Sequence, residues 1–236
     1  MAVNDRIEIL LQKLICKGIN TETTGLYAEG IKAKLQATHF ALENLRELEH
    51  LEERSQVQDD TTTLIKQSLL PVDDKINFYC ECVWVFLRSS LDILAQLVNE
   101  LYPLNLNERQ VDFKQVAKNL EHSGTLLEEA VNNCQSSDEF KNLEEYRHCS
   151  MHRRRVLIET KEETRTHTTR ITWTRDYNYD GTIETIKETT TVERYLCENP
   201  SDLQPKVNYK RPVVGYCEHL LQAIEKHVNT IINQLP

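Results

Sequence analysis

The chain lacks a long hydrophobic run. Its longest wholly apolar stretch, Val83 to Leu87, is far below the roughly 20 residues a membrane-spanning helix needs. The opening segment, MAVNDRIEILLQKLICKGIN, carries charges throughout and no small-residue cleavage site, so no secretory signal is expected. The seven cysteines are odd in number and irregularly spaced, which is not the pattern of a disulfide framework. Cys80 and Cys82 are close together, but no second cysteine pair completes a zinc site. The expected setting is therefore a reducing cytoplasm, with no membrane partner. Internal repeats and low-complexity tails are missing too.

What is present is a globular composition. Of 236 residues, 39% are hydrophobic and 28% charged, enough to build one substantial core. A single domain over 1–236 is expected. The net charge of −9 argues against nucleic-acid binding by the surface as a whole. Locally the balance reverses: from Arg147 to Arg155 there are four arginines and no acid.

Helical periodicity dominates. Ile7, Leu10, Leu11 and Leu14 predict a first helix, capped by Asn4 or Asp5 and ended by Gly18. A long second helix, about 24–58, carries Ile31, Leu35, Leu42, Leu45 and Leu48 on one face. A polar loop over 59–73 contains Pro71. The third helix, about 74–102, is apolar nearly all round and belongs at the centre of a bundle, with Pro103 to stop it. Pieces over 109–122 and 124–134 follow, broken near Ser123 and Gly124, and then a helix over about 137–154. Pro212 opens a last helix, 211–235, striped by Val213, Cys217, Leu220, Leu221, Ile224, Val228, Ile231 and Leu235.

Between those last two helices the composition turns to Thr, Arg and aromatic residues. Residues 156–196 predict an antiparallel β-hairpin with Asp180-Gly181 at its turn. That register sorts Ile171, Trp173, Tyr177, Ile186 and Val192 onto one face, which is expected to pack onto the bundle or onto a partner subunit. The fold class is thus mainly all-α: an up-and-down helical bundle with an inserted antiparallel β-ribbon before the last helix.

The segment EEYRHCSMHRRR, residues 144–155, carries the candidate chemistry. At about 100° per residue, Arg147 shares a face with Phe140, Leu143 and Met151, in a slot suited to a core leucine. A guanidinium aimed inward needs an anion to meet it; the plain alternative is that Arg147 snorkels to water. His148 and His152 lie together on an adjacent face.

A metal site is one reading, because Glu144, His148 and His152 recur every four residues and Glu145 to His148 is a Glu-x-x-His. Its counterpart, Glu47 to His50, points away from the apolar face of the second helix, so no metal and no cofactor is expected. A Cys149–His148 nucleophile pair is disfavoured, since adjacent helical residues point in different directions. On the third helix, Glu81, Arg88, Asp92, Gln96 and Asn99 form a thin polar stripe. It reads either as a solvent-facing strip with an Arg88–Asp92 pair, or as a second shell in which Asp92 or Glu81 meets Arg147 and orients it.

The spacing Arg147-His-Cys-Ser-Met-His152, late in a helical bundle and followed by Arg153, Arg154 and Arg155, resembles the R-x4-6-H motif of the HEPN superfamily (higher eukaryotes and prokaryotes nucleotide-binding domains). One departure is His148, where many members carry Asn, and the ribbon is no part of the family's minimal bundle. The resemblance implies a metal-independent endoribonuclease of toxin or defence type, homodimeric, with a composite site. Arg147, His152 and His148 would be catalytic, Arg153 to Arg155 would bind RNA, and an antitoxin or other partner protein is implied. The rival is a non-catalytic module that binds nucleotides or proteins.

Overall fold

The structure is a computed structural model that describes residues 3–18, 21–54, 72–102, 104, 106–107, 111–152, 158–175, 179–196 and 211–236. Within these, the side chains at 4, 50–54, 73, 151–152, 158–193, 195 and 211 lie outside the description.

Helix α1 (Val3–Cys16) buries Val3, Ile7, Leu10 and Leu14. It stops where expected. The Gly18 N–H donates to the Ile15 carbonyl at 3.0 Å, and Gly18 takes the left-handed backbone (φ +68°) that glycine adopts without a Cβ penalty. Helix α2 (Thr21–Arg54) begins earlier than the periodicity suggested and buries Ala28, Ile31, Leu35, Leu42 and Leu45. The expected continuation to 58, residues 59–71 of the expected loop 59–73, and Pro103 lie outside the described residues, while residues 72–73 of that loop belong to the next helix.

Helix α3 (Val72–Leu101) runs along α2 and also meets α4, α6 and α7, the central position its apolar surface demands. At Gly30 of α2, an added Cβ would come within 3.3 Å of the Ile93 Cγ2 of α3, so the two helices approach closely there. Helix α4 (Phe113–Leu120) is capped by Asp112, whose carboxylate accepts from the Gln115 N–H at 2.8 Å. Helix α5 (Leu126–Ser136) is capped by Thr125. Glu128 reaches back to the N–H groups of His122 (2.9 Å) and Gly124 (2.8 Å), which fixes the break between the two helices.

Helix α6 (Asp138–His152) and helix α7 (Val213–Gln234) complete the bundle. Every member of the expected α7 stripe is buried. Pro212 stands one place earlier than expected, at the N-cap, where its missing N–H likewise costs nothing. Arg46 and His39 of α2 pair with Glu218 and Glu225 of α7 at 2.6 and 2.9 Å, and His219 of α7 pairs with Glu139 of α6 at 3.1 Å.

Strands β1 (Ile158–Arg175) and β2 (Tyr179–Leu196) pair antiparallel, and β2 also pairs at its end with β3 (Arg211–Pro212). The ladder sets Ile158 opposite Leu196, Ile171 opposite Ile183 and Trp173 opposite Gly181. Asp180-Gly181 is therefore not the turn. Both residues lie inside β2, and the connection falls at 176–178, outside the described residues. In this register Thr168, not Ile171, shares the pleat set of Ile186, so the expected five-residue sorting does not hold. The side chains of Trp173 and its neighbours lie outside the described residues. Leu196 and Arg194, at the base of the ladder where β2 meets α2 and α7, are buried.

The α6–α7 seam carries a pH dependence. Burial pushes the partly buried His227 imidazole below its usual range, with Glu139 opposing and Lys226 assisting. Glu139 is held low first by its own backbone N–H at the start of α6, then by the bond and charge of His219. A depressed imidazole contributes stability that is present above its ordinary value, about 6.5, and lost as pH falls through its folded value. The depressed carboxylate adds a second loss on the acid side of about 4.3. Urea midpoints should thus drop on acidification from neutrality, and His227→Gln should flatten the first step. An unchanged slope in that variant counts against this account.

Candidate functional site

Helices α3, α4 and α6 meet around a buried arginine, and it is Arg88 rather than Arg147. The Arg88 side chain is only 5% exposed. Its Nε donates to Glu144 of α6 at 2.9 Å, its Nη1 to Asp92 one turn along α3, and its guanidinium lies 5.6 Å from the Phe140 ring centroid. The Glu144 carboxylate also pairs with Lys114, in the first turn of α4. Asp92 also accepts from the backbone N–H of Phe113, the first residue of α4, at 3.3 Å.

A buried guanidinium needs such partners, because each unpaired N–H would be left without water. Burial pushes the Asp92 carboxyl upward; the Arg88 charge, the Phe113 amide, the Arg88 bond and the Arg147 charge pull it down. The Asp92 side chain is 31% exposed, so solvent and Arg88 leave it a working ion-pair partner.

The core face of α6 is Phe140, Leu143, Tyr146 and Cys149, all buried. The inward slot assigned to Arg147 belongs to Tyr146. That ring stacks on Trp84 of α3, with centroids 5.0 Å apart, and lies 5.6 Å from Tyr216 of α7. The face differs from a simple wheel because α6 packs against α3, α5 and α7 at once, so its buried strip winds from one neighbour to the next. Cys149 is a core position, not an accessible nucleophile.

Arg147 is half-buried beside this face, one turn after Glu144. Among the described residues no carboxylate lies within ion-pairing distance of its guanidinium, while its charge reaches Asp92. The cluster thus holds three cations, Arg88, Lys114 and Arg147, against two carboxylates, Asp92 and Glu144. Arg147 is the surplus charge.

His148 is exposed on the adjoining position. His152 lies in the last turn of α6, but its side chain and Arg153, Arg154 and Arg155 are outside the described residues. Glu81 stands two turns before Arg88, partly buried, where its charge bears on Cys80 and Cys82. Of the polar stripe on α3, the Arg88–Asp92 pair forms as read, but it is not solvent-facing. Sequence reasoning missed two members, Glu144 as the partner of Arg88 and Lys114. The position of Glu144 one turn before Arg147 was the available signal.

A family model described as HEPN_Cthe2314-like HEPN matches residues 27–199. That span runs from within α2 through β2, so it includes Arg88, Glu144, Arg147 and His152 as well as the ribbon residues. No curated protein and no solved structure matches the chain. The chain belongs to this HEPN family, and its mainly helical bundle is the fold the family implies. Among the described residues, no helix is long and apolar enough to cross a membrane.

Proposed function

We propose that this HEPN protein is a metal-independent endoribonuclease of toxin or defence type, acting as a cytoplasmic homodimer with a composite site. The observation that carries the reading is the surplus cation: Arg147, half-buried and without a carboxylate partner among the described residues, is suited to an anionic group. A low-dielectric flank strengthens such a pairing, and the guanidinium fork matches phosphate geometry. In this reading the 2′-oxygen of a ribose attacks the adjacent phosphorus while a base takes its proton. The bond to the 5′-oxygen breaks as an acid protonates that oxygen, leaving a cyclic 2′,3′-phosphate and a 5′-hydroxyl. His152 serves as general acid or base, since an imidazole titrates near neutrality. Arg147 stabilises charge on the phosphoryl oxygens, His148 is a polar helper, and Arg153 to Arg155 draw in the RNA backbone. The β1–β2 pair is read as an insertion over 156–196 within one domain, 1–236. An antitoxin or other partner protein would hold the activity in check.

Removing a charge-stabilising group of this kind costs about 10²–10³ in rate. Arg147→Ala and His152→Ala are expected to lose cleavage of single-stranded RNA in EDTA by at least that factor, with unchanged circular dichroism. Arg154→Ala should only weaken binding and flatten its salt dependence. Wild-type protein that cleaves no RNA, or that needs added metal, would leave the interaction module as the function. Light scattering at micromolar concentration should report a dimer.

A further inference from the structure

The proposed ribonuclease site does not use the groove between α4 and α5. It is an open groove of about 570 Å³, a volume within the range that small ligands occupy. One wall carries Lys114 and Lys118, one turn apart on α4; the other carries Asn132 and Gln135, almost one turn apart on α5. Ala117 is buried at 2% exposure and forms the floor. Glu121 stands at the end remote from Lys114 along α4.

The charge along the groove is graded. Lys118 is exposed and has no salt bridge among the described residues. Lys114 is paired with Glu144, but with its side chain 52% exposed it keeps donors for a second anion. Through Glu144 the Lys114 end of the groove is tied to α6 one turn before Arg147 and His148. Lys114, at one end of the groove, is thus one ion pair and one helical turn removed from Arg147.

We propose that this groove binds a nucleotide of single-stranded RNA flanking the one whose phosphate meets Arg147. The inference rests on the ribonuclease reading for what happens at Arg147, but not for binding in the groove. Ammonium groups take the phosphate as point charges. Carboxamides present a donor and an acceptor together, the pattern that reads the edge of an unstacked base. Glu121 repels phosphate at its end of the groove, so the strand's phosphates lie towards Lys118 and Lys114. The groove then supplies sequence preference, while Arg147 and His152 supply the reaction.

The test uses the full chain carrying His152→Ala and a fluorescently labelled single-stranded RNA of about twelve nucleotides, longer than the roughly four-nucleotide minimum site of one binding fold. Adding Lys118→Ala should weaken binding several-fold on every sequence and lower the salt slope by about one. Adding Asn132→Ala with Gln135→Ala should narrow the spread of affinities among the four homopolymers. Glu121→Gln should tighten binding. Unchanged affinity and salt slope with Lys118→Ala would overturn the groove even if wild-type protein cleaves RNA. Conversely, groove-dependent binding by a protein that cleaves nothing would sustain the groove and remove the ribonuclease. A free mononucleotide that binds as tightly as the oligomer would overturn the strand proposal, as would displacement of the RNA by an equal concentration of an acidic peptide.

Discussion

Replacing Arg88 with methionine is expected to cost about 3 kcal/mol of folding stability, the lower end of the range for breaking a buried ion pair. The lower end applies because the stranded carboxylates are not fully buried: Asp92 is 31% and Glu144 21% exposed at the side chain. Lys114 also stays on Glu144, and the Phe113 N–H stays on Asp92. Arg88→Lys should rescue little. One ammonium on a flexible stem does not reproduce a fork that addresses carboxylates on two helices. A double variant that adds Asp92→Asn should regain part of the loss, because it removes the carboxylate that loses its ion-pair partner, whereas Glu144 keeps Lys114. Urea unfolding followed by far-ultraviolet circular dichroism measures all three, and a loss under about 1 kcal/mol for Arg88→Met would mean that solvent already compensates the pair.

Trp84→Ala should cost about 3–5 kcal/mol, as for other buried aromatic truncations. Trp84 is fully buried and stacked on Tyr146, so its removal opens a cavity between α3 and α6. Trp84→Phe should behave differently. The indole Nε1–H is buried and finds no acceptor among the described residues, and an unmet donor costs about 1–3 kcal/mol. Removing that donor offsets much of the lost volume, so the phenylalanine variant should fall within about 1 kcal/mol of wild type. A phenylalanine variant as unstable as the alanine one would show that the N–H is in fact satisfied.

Much of the helical architecture was legible because local signals agreed with one another. The α7 stripe pairs its periodicity with Pro212 at the N-cap, the nearly all-apolar α3 rests on its apolar surface, and the break at Ser123 and Gly124 combines the Thr125 cap with a left-handed turn. The strand register was not legible. Asp180-Gly181 is a strong turn signal, yet β1 and β2 are threonine- and charge-rich on both pleat sets, and such strands specify register weakly. Of the proposed site, Arg147 and His152 stand out through their spacing. The Arg88–Glu144 pair joins residues 56 positions apart, and a helical wheel says which face a residue occupies but not which neighbour it meets. Tyr146 escaped for a related reason: its core place comes from the rings of Trp84 and Tyr216 on two other helices.

The pairing of Ile158 with Leu196 has a consequence for how this chain can change over time. Opposed residues in an antiparallel ladder have Cα atoms about 5 Å apart, so the path through β1 and β2 begins and ends at nearly one point. Residues added or removed in matched pairs along the two strands leave that point fixed, and with it the buried Leu196 and Arg194 below. The reach of the ribbon is therefore a length that can vary without any repacking of the described helices.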